Sequence, residues 1–429
     1  MKNEKLRVLA ICHEDPEFIL GGMGMHLREL YRAMATRGDV EIDLLTSGPG
    51  EGAKNYIGYT KHQCDKLVCW RPRKEDLASL LLSDIQMMKT LAGLLAEGRR
   101  WDVIHTHEWS SVQIARMARD ALKVPVIGTM HLCISALCDV DDGAPPAPGS
   151  DSLVPDWPEA DLYLRQQEGH LVVTDSDELI LCSRAYIDLA RKTFLTDRPI
   201  NLVYNGINPK EWNPLTGNGK RARSANDLPD RPLAMFCGRI ADMKGIRPLL
   251  DVVEAQDTGY CVVLVGEVNA VTDQQREAWD VTQRIRKLEA EMPDRLRWLG
   301  FKHGQELRDL YGAAQVVLMP SVHEPFGIVA LEALAMGVPL ISTEVDGLGE
   351  IVCPDGGEEY AMIIPPNNAR QLATALEILR GSPESRSHLI GLGLQRIHDF
   401  TWSDAAEKTV MVYHKALERA ARARMEGVG

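Results

Sequence analysis

The chain of 429 residues is expected to be an α/β protein built from two doubly wound parallel sheets. Three observations predict this. Short runs rich in Val, Ile and Leu alternate with longer runs of helical period, the grammar of strand–helix–strand units. The length exceeds what one hydrophobic core ordinarily serves, so two domains are expected. The alternation also restarts near residue 233, after a stretch rich in Gly, Asn and Ser.

The elements follow in order. Arg7–His13 is a strand, Gly24–Arg37 a helix and Val40–Thr46 a strand. Asp102–His107 is the next strand, Val112–Leu122 a helix and Val124–Met130 a strand. Leu179–Cys182 and Ile200–Tyr204 are strands separated by the helix Tyr186–Phe194. The second half repeats the pattern with Leu233–Cys237, helix Ile246–Ala255, Cys261–Val265, long helix Thr272–Glu291, Leu296–Leu299, helix Glu306–Ala314 and Val316–Met319. A buried helix, Ile328–Met336, is stopped by Gly337 and Pro339 before the strand Leu340–Thr343.

Between the halves, Asn205–Pro214 has turn composition and Thr216–Pro232 that of a linker. The expected organisation is therefore a first domain over 1–207, a second over 208–402, and a long final helix within 403–429 that returns to the first. Residues 131–167, with Asp139, Asp141, Asp142 and Trp157, form an expected long loop or lid. Two such halves would face one another across a cleft at the carboxyl ends of their strands.

Composition narrows the function. A net charge of −13 argues against non-specific nucleic-acid binding, which needs surplus Lys and Arg against phosphates. The basic run Arg419–Arg424 is expected as the solvated turn of a last helix. No apolar run reaches membrane-span length, and Met1–Arg7 is polar, so a cytosolic protein is expected. Nine cysteines fit reduced thiols. Cys12, Cys182, Cys237 and Cys261 lie in strand-like runs. Cys64/Cys69 and Cys133/Cys138, near His62 and His131, have too wide a spacing for a persuasive zinc site, and no metal is expected.

The most informative segment runs from His323 to Pro339. Glu324 and Glu332 stand eight residues apart, and apart from Glu332 the run Phe326–Met336 is apolar or glycine. A carboxylate there loses hydration on folding, several kcal/mol unless something pairs with it. Glu324 falls just before a helix start and Glu332 one turn inside it, flanking N–H groups that attract phosphate. A ligand with hydroxyls on both sides of a phosphate, such as a nucleotide sugar, fits this pattern. In the same half, Gly238-Arg239 and Lys244-Gly245 follow a strand, two cations able to neutralise a diphosphate.

The first half adds weaker signals. Gly21-Gly22-Met23-Gly24 opens the first helix and allows close backbone approach to a ligand. A dinucleotide fingerprint needs a third small residue where Leu27 stands. His131 ends a strand. His105 and His107 share a face of another strand, metal-like spacing without a third ligand in register, so hydrogen bonding is expected. Trp109 offers a flat face for a sugar, although packing is the commoner use.

Together these residues resemble the retaining glycosyltransferases of the GT-B fold, the large family that includes sucrose-phosphate synthases, mannosyltransferases and glycogen-synthase-like enzymes. The likeness rests on the E-x(7)-E element, on Gly238-Arg239 with Lys244-Gly245, on Asn205-Gly-Ile and on Gly21-Gly22. It implies two Rossmann-like doubly wound domains facing a central cleft. Residue by residue it implies that Glu332 binds ribose hydroxyls and Glu324 the donor sugar. Backbone groups of Phe326, Gly327 and Ile328 would lie near sugar and phosphate. Arg239, Lys244, Gly238 and Gly22 would serve the diphosphate, and His131 would position the transferred sugar. His107, Trp109 and Asn205 are weaker candidates for acceptor binding. Leu20 departs from the glycogen and starch synthases, which carry Lys there, so the acceptor stays open between a glucan and a small hydroxylated molecule.

The expected reaction moves a hexose from a nucleoside diphosphate sugar to a hydroxyl of a saccharide, cyclitol or amino sugar. The UDP, ADP or GDP base is left open, and so is the oligomeric state. No cofactor is expected, and no obligatory divalent ion, because no acidic metal cluster accompanies the phosphate site. Closure about Asn205–Pro214 and Phe400–Ser403 would exclude water. The rival is a nucleotide-sugar epimerase of the same architecture, which would need no acceptor.

Overall fold

The structure is a computed structural model that describes residues 5–17, 21–47, 52–57, 59–63, 77–133, 159–268 and 276–426. It divides into two compact units. Unit 1 is Met1–Tyr204 with Trp402–Gly429, and unit 2 is Asn205–Thr401.

Unit 1 contains β1 (Leu6–Cys12), α1 (Gly22–Arg37), β2 (Val40–Thr46), β3 (Gly52–Tyr56), β4 (Tyr59–Gln63), α2 (Leu77–Ala96), β5 (Val103–His107), α3 (Val112–Leu122), β6 (Val126–Met130), α4 (Glu159–Asp175), β7 (Glu178–Leu181), α5 (Arg184–Phe194) and β8 (Ile200–Leu202). Its sheet runs β3-β4-β2-β1-β5-β6-β7-β8, parallel except for the β3–β4 hairpin. Successive residues of β1 point to opposite faces. Val8, Ala10 and Cys12 pack in one apolar cluster with Leu27, Leu30 and Trp402, while Leu9 and Ile11 join Met87, Leu91 and Ile114 in another. A strand covered on both faces must be apolar throughout, which explains its uninterrupted hydrophobic run.

Unit 2 contains α6 (Gly219–Ala225), β9 (Leu233–Cys237), α7 (Ile246–Ala255), β10 (Cys261–Val265), α8 (Arg276–Glu291), β11 (Leu296–Trp298), α9 (Gly304–Ala313), β12 (Val316–Met319), α10 (Ile328–Ala335), β13 (Leu340–Ser342), α11 (Asp346–Val352), β14 (Met362–Ile363), α12 (Ala369–Gly381) and α13 (Pro383–Arg396). Its sheet runs β11-β10-β9-β12-β13-β14, all parallel. The last helix, α14 (Trp402–Met425), belongs to unit 1, where Ala405, Val410 and Tyr413 lie in the core with β1 and α1.

Two expectations need correction. The stretch expected as linker, Thr216–Pro232, contains α6. Asn218 caps that helix through the N–H of Arg221, and Arg221 reaches Asp309 on α9 through Nε to Oδ2 and through Nη2 to Oδ1 at 2.8 Å. A tertiary ion pair holds a helix that composition alone hid. The expected loop over 131–167 is helical from Glu159 onward. Asp139, Asp141, Asp142 and Trp157 lie outside the described residues, as do Cys64, Cys69 and Cys138. Cys12, Cys133, Cys182 and Cys261 are buried and Cys237 half-buried, and none of these five is in a disulfide.

Candidate functional site

In unit 2 the sheet order reverses between β9 and β12, which are neighbours although β10 follows β9 in the chain. Open α/β sheets take ligands outside the carboxyl ends of strands at such a switch point. The loop after β9 carries Gly238, half-buried Arg239 and a short 3-10 turn, Asp242–Lys244, ended by Gly245 at φ 72°. A Cβ on Gly245 would lie 1.9 Å from the Pro320 carbonyl oxygen, so only glycine lets this loop touch the end of β12. The carbonyl of Met243 then accepts the N–H groups of Val322 at 2.9 Å and His323 at 3.1 Å. Two loops far apart in sequence are thereby fixed edge to edge.

This brings Lys244 Nζ within 2.6 Å of Glu324 Oε2, both side chains 14% exposed. The Glu324 N–H donates to Asp346 Oδ2 at 2.9 Å, and the same carboxylate oxygen meets His323 Nδ1 at 2.6 Å. Gly327, at φ 105°, turns the chain into α10 and has no side chain to cap that helix. The first N–H groups of α10, starting at Ile328, therefore carry positive partial charge without a side-chain cap. One turn on, Glu332 is buried and its Oε2 accepts the Tyr311 hydroxyl at 2.8 Å. Tyr311 is thus a partner of the kind that burial of this carboxylate demanded. Burial, reinforced by the Glu332 charge, pushes the Tyr311 phenol well above its ordinary pKa. Burial also raises the neighbouring Cys237 thiol, again helped by Glu332.

Arg239 directs one guanidinium nitrogen toward Met243 Sδ at 3.8 Å. Gly238, at φ 143°, has open space where a Cβ would stand. Phe326 is buried edge-on against Phe400. Gly238, Arg239, Lys244, Glu324, Phe326, Gly327, Ile328 and Glu332 thus all belong to the segments that follow the central strands β9 and β12. Tyr311 and Asp346 escaped sequence reading, because their only signal is the contact each makes across the fold.

Unit 1 reverses its sheet between β1 and β5. Here the described polar groups are deeply packed. His107 is fully buried, with Nε2 2.6 Å from the Tyr31 hydroxyl and Nδ1 3.4 Å from His131 Nε2. His107, a weaker acceptor candidate from the sequence, is thus buried against Tyr31 and His131. His105 lies between the hydroxyls of Tyr413 and Thr129, each at 2.7 Å. Burial drives His107 and His131 well below the usual imidazole pKa, helped by the neighbouring rings, and takes His105 to about 3. All three are neutral near pH 7.

Glu108, left-handed at φ 68°, fixes the turn that carries His131. Its Oε2 accepts the N–H groups of His131 and Leu132 at 3.0 Å each, and Oε1 accepts that of Trp109 at 3.3 Å. Burial pushes the Glu108 carboxyl up to about 7 against the pull of these three donors. Trp109 is buried under the Arg165 guanidinium, 4.8 Å from its ring centre, which leaves little aromatic face for a sugar. Gly22 is exposed at the start of α1, while Gly24 donates its N–H to Glu14 Oε1 at 3.0 Å. Asn205 is buried at the first residue of unit 2. Glu14 and His26 were missed; an acid just past the first strand, ahead of a glycine-opened helix, was the available local signal for Glu14.

Comparison with known proteins bears on both units. The family described as glycosyl transferase 4-like domain matches residues 21–206, and the family described as glycosyl transferases group 1 matches residues 220–393. The D-inositol 3-phosphate glycosyltransferase of Saccharomonospora viridis is 30% identical over 327 residues, 74% of this chain and 70% of that protein. Among solved structures, sucrose-phosphate synthase from Thermosynechococcus elongatus aligns with a TM-score of 0.77 at 23% identity, covering 97% of this chain and 100% of that one. The catalytic domain of starch synthase IV from Arabidopsis thaliana, bound to ADP and acarbose, aligns with a TM-score of 0.72 at 17% identity, covering 97% and 100%. Among the described residues no helix is long and apolar enough to cross a membrane.

Proposed function

This chain belongs to the glycosyl transferases of GT-B fold, and on that premise we propose that it is a retaining hexosyltransferase. It moves a glucose-type hexose from a nucleoside diphosphate sugar to a hydroxyl of a saccharide or of a small polyhydroxylated or amino-sugar acceptor. The observation that carries this reading is the Lys244–Glu324 pair beside the glycine-capped start of α10.

A diphosphate entering this corner takes the Lys244 ammonium from Glu324. The carboxylate so released is free to accept hydroxyls of the donor sugar. Arg239 meets the second phosphate as a fork, and the first N–H groups of α10 meet the same anion. Glu332, steadied by Tyr311, takes the ribose hydroxyls one turn deeper.

Cleavage of the sugar–phosphate bond puts growing negative charge on the leaving oxygen. Contacts that strengthen with that charge lower the barrier, about 1.5–3 kcal/mol each, or roughly 10–100-fold in rate. The anomeric C–O bond to the diphosphate breaks as the acceptor oxygen bonds to the same face, and the acceptor's proton passes to the departing phosphate. His131, whose imidazole pKa is held low, is the residue to which the family likeness gives the positioning of the transferred sugar. The two cations supply the charge for which a divalent ion would otherwise serve, so no metal is required for transfer.

Relatives named for inositol 3-phosphate and for sucrose phosphate favour a small polyhydroxylated acceptor, and the starch synthase bound to acarbose keeps a glucan open. The test is a melting-shift panel of UDP-, ADP- and GDP-sugars. It is followed by transfer to candidate acceptors in EDTA, with the product's anomeric configuration read by proton NMR. The expected result is one stabilising donor and a retained linkage. No stabilising donor, or an inverted product, sinks the proposal, and a new sugar isomer formed from donor alone moves the assignment to an epimerase.

A further inference from the structure

We infer that His26, His107 and His131 form a binding site for a divalent transition-metal ion of the zinc or cobalt type, and that its occupancy shuts the transfer off. The metal site stands on geometry within unit 1 alone, whereas the inhibition rests on the role proposed above for His131.

The three imidazoles come from three rigid places: α1, the end of β5, and the turn after β6 that Glu108 fixes. One ring nitrogen from each lies within 4.8 Å of the others. Nδ1 of His107 and Nε2 of His131 already stand 3.4 Å apart. Two nitrogens about 2.0–2.1 Å from a tetrahedral zinc are separated by roughly 3.4 Å, so this pair has the spacing of ligands. Drawing the third nitrogen inward by about 1.4 Å at most completes three corners of a tetrahedron. A water or solute fills the fourth, as at metal sites with three protein ligands.

The surroundings suit this use. A metal-bound imidazole commonly gives its remaining N–H to a fixed acceptor, which sets tautomer and ring angle. His107 has that partner in the buried Tyr31 hydroxyl, 2.6 Å from Nε2. The His26 and His131 rings meet edge to face at 4.6 Å, and His131 is half-buried, which leaves the ion a way in. Neutral imidazole nitrogens suit zinc, cobalt, nickel and copper, whereas magnesium and calcium prefer oxygen. The ion takes Nδ1 of His107 and Nε2 of His131, and the proton that His131 Nε2 carried moves to its Nδ1. A His131 ring held in this way is withdrawn from the transferred sugar.

The test uses the full, untagged chain titrated with Co²⁺ and read by visible absorption. The expected result is an intense tetrahedral-type band at one equivalent, bleached by Zn²⁺ and removed by EDTA. Tyr31→Phe should weaken Co²⁺ binding by about 10–100-fold, the usual effect of losing an outer partner, and His26→Ala by more. His414→Ala, at an exposed helix position, should leave the band unchanged. If His26→Ala does not fold by circular dichroism, His26→Gln is read in its place. A pale octahedral-type spectrum, or an intense band that survives loss of His26, overturns the site. A zinc-loaded protein that transfers sugar at the full rate overturns the inhibition and the role of His131 while leaving the site standing. A clear band in a protein that turns over no donor leaves the metal site intact and sinks the transferase reading instead.

Discussion

Each unit carries a lysine–carboxylate pair at the carboxyl end of its sheet, and the two pairs are built for different ends. In unit 1, Lys61 Nζ meets both oxygens of Asp15 at 3.0 and 2.9 Å, and the side chains are 1% and 2% exposed. In unit 2, Lys244 meets a single oxygen of Glu324 at 2.6 Å, with both side chains 14% exposed. The first pair is sealed, since separating it would strand two charges away from water. The second has one bond to exchange and solvent beside it, so an incoming anion can replace the carboxylate. The same two functional groups are thus sealed from water in one unit and left partly open to it in the other.

The largest expected effect tests the sealed pair. Asp15→Ala should destabilise the protein by about 3–5 kcal/mol, because it leaves the Lys61 ammonium buried without its counter-charge. Chemical denaturation of unit 1 checks this, and a loss under 1 kcal/mol would show the pair to be less sealed than it looks. Next, Lys244→Ala should lower turnover by roughly 10–100-fold while moving the denaturation midpoint far less than Asp15→Ala does. A large stability loss with unchanged turnover would reverse the contrast between the two pairs.

Smaller effects sharpen it. Glu332→Gln keeps the shape but removes the charge from an acceptor that Tyr311 holds in place. Donor affinity, read by calorimetry, should fall by about tenfold with little change in turnover at saturating donor. An unaltered dissociation constant would remove Glu332 from the ribose site. Smallest in scope is Asp309, where the Arg221 guanidinium, joined by Gln305 and the Asn218 N–H, holds the carboxyl at about 2. A carboxyl depressed on folding stabilises the protein above its unfolded pKa. That stability is lost as pH falls from about 4 towards 2. Asp309→Asn should flatten this part of the pH–stability curve, and an unchanged slope would show that α6 is not held by this pair.

The segment from Lys244 to Glu332 was readable in advance because its signals are local. The apolar run marks a buried helix stopped by a left-handed Gly337, and a carboxylate inside such a run announces that a partner exists. The identity of that partner was not readable. Tyr311 precedes Glu332 by 21 residues on another helix, and nothing in its own neighbourhood distinguishes it from a packing tyrosine. The helix Gly219–Ala225 was hidden for a related reason. Its seven residues bury only Ala222 and so show no apolar stripe, and Asp309, 88 residues from Arg221, holds it in place.

The histidine cluster shows the same limit from the other side. Alternation along β5 placed His105 and His107 on one face, and their rings do lie 4.0 Å apart. No spacing rule could add His26, which occupies an ordinary helix position, or set it against His131. Parallel pairing of β5 with β6 aligns His107 with Thr129, and the following turn then carries His131 back to the same edge.

From its residues alone this chain determined the repeated strand–helix order, the glycine turns and the need to neutralise two carboxylates, because each depends on backbone geometry or desolvation within a few positions. Only the tertiary structure decided that Lys244 answers Glu324, that Tyr311 answers Glu332, and that three histidines converge. Those outcomes depend on strand register and helix docking, which bring together residues that chain connectivity leaves far apart.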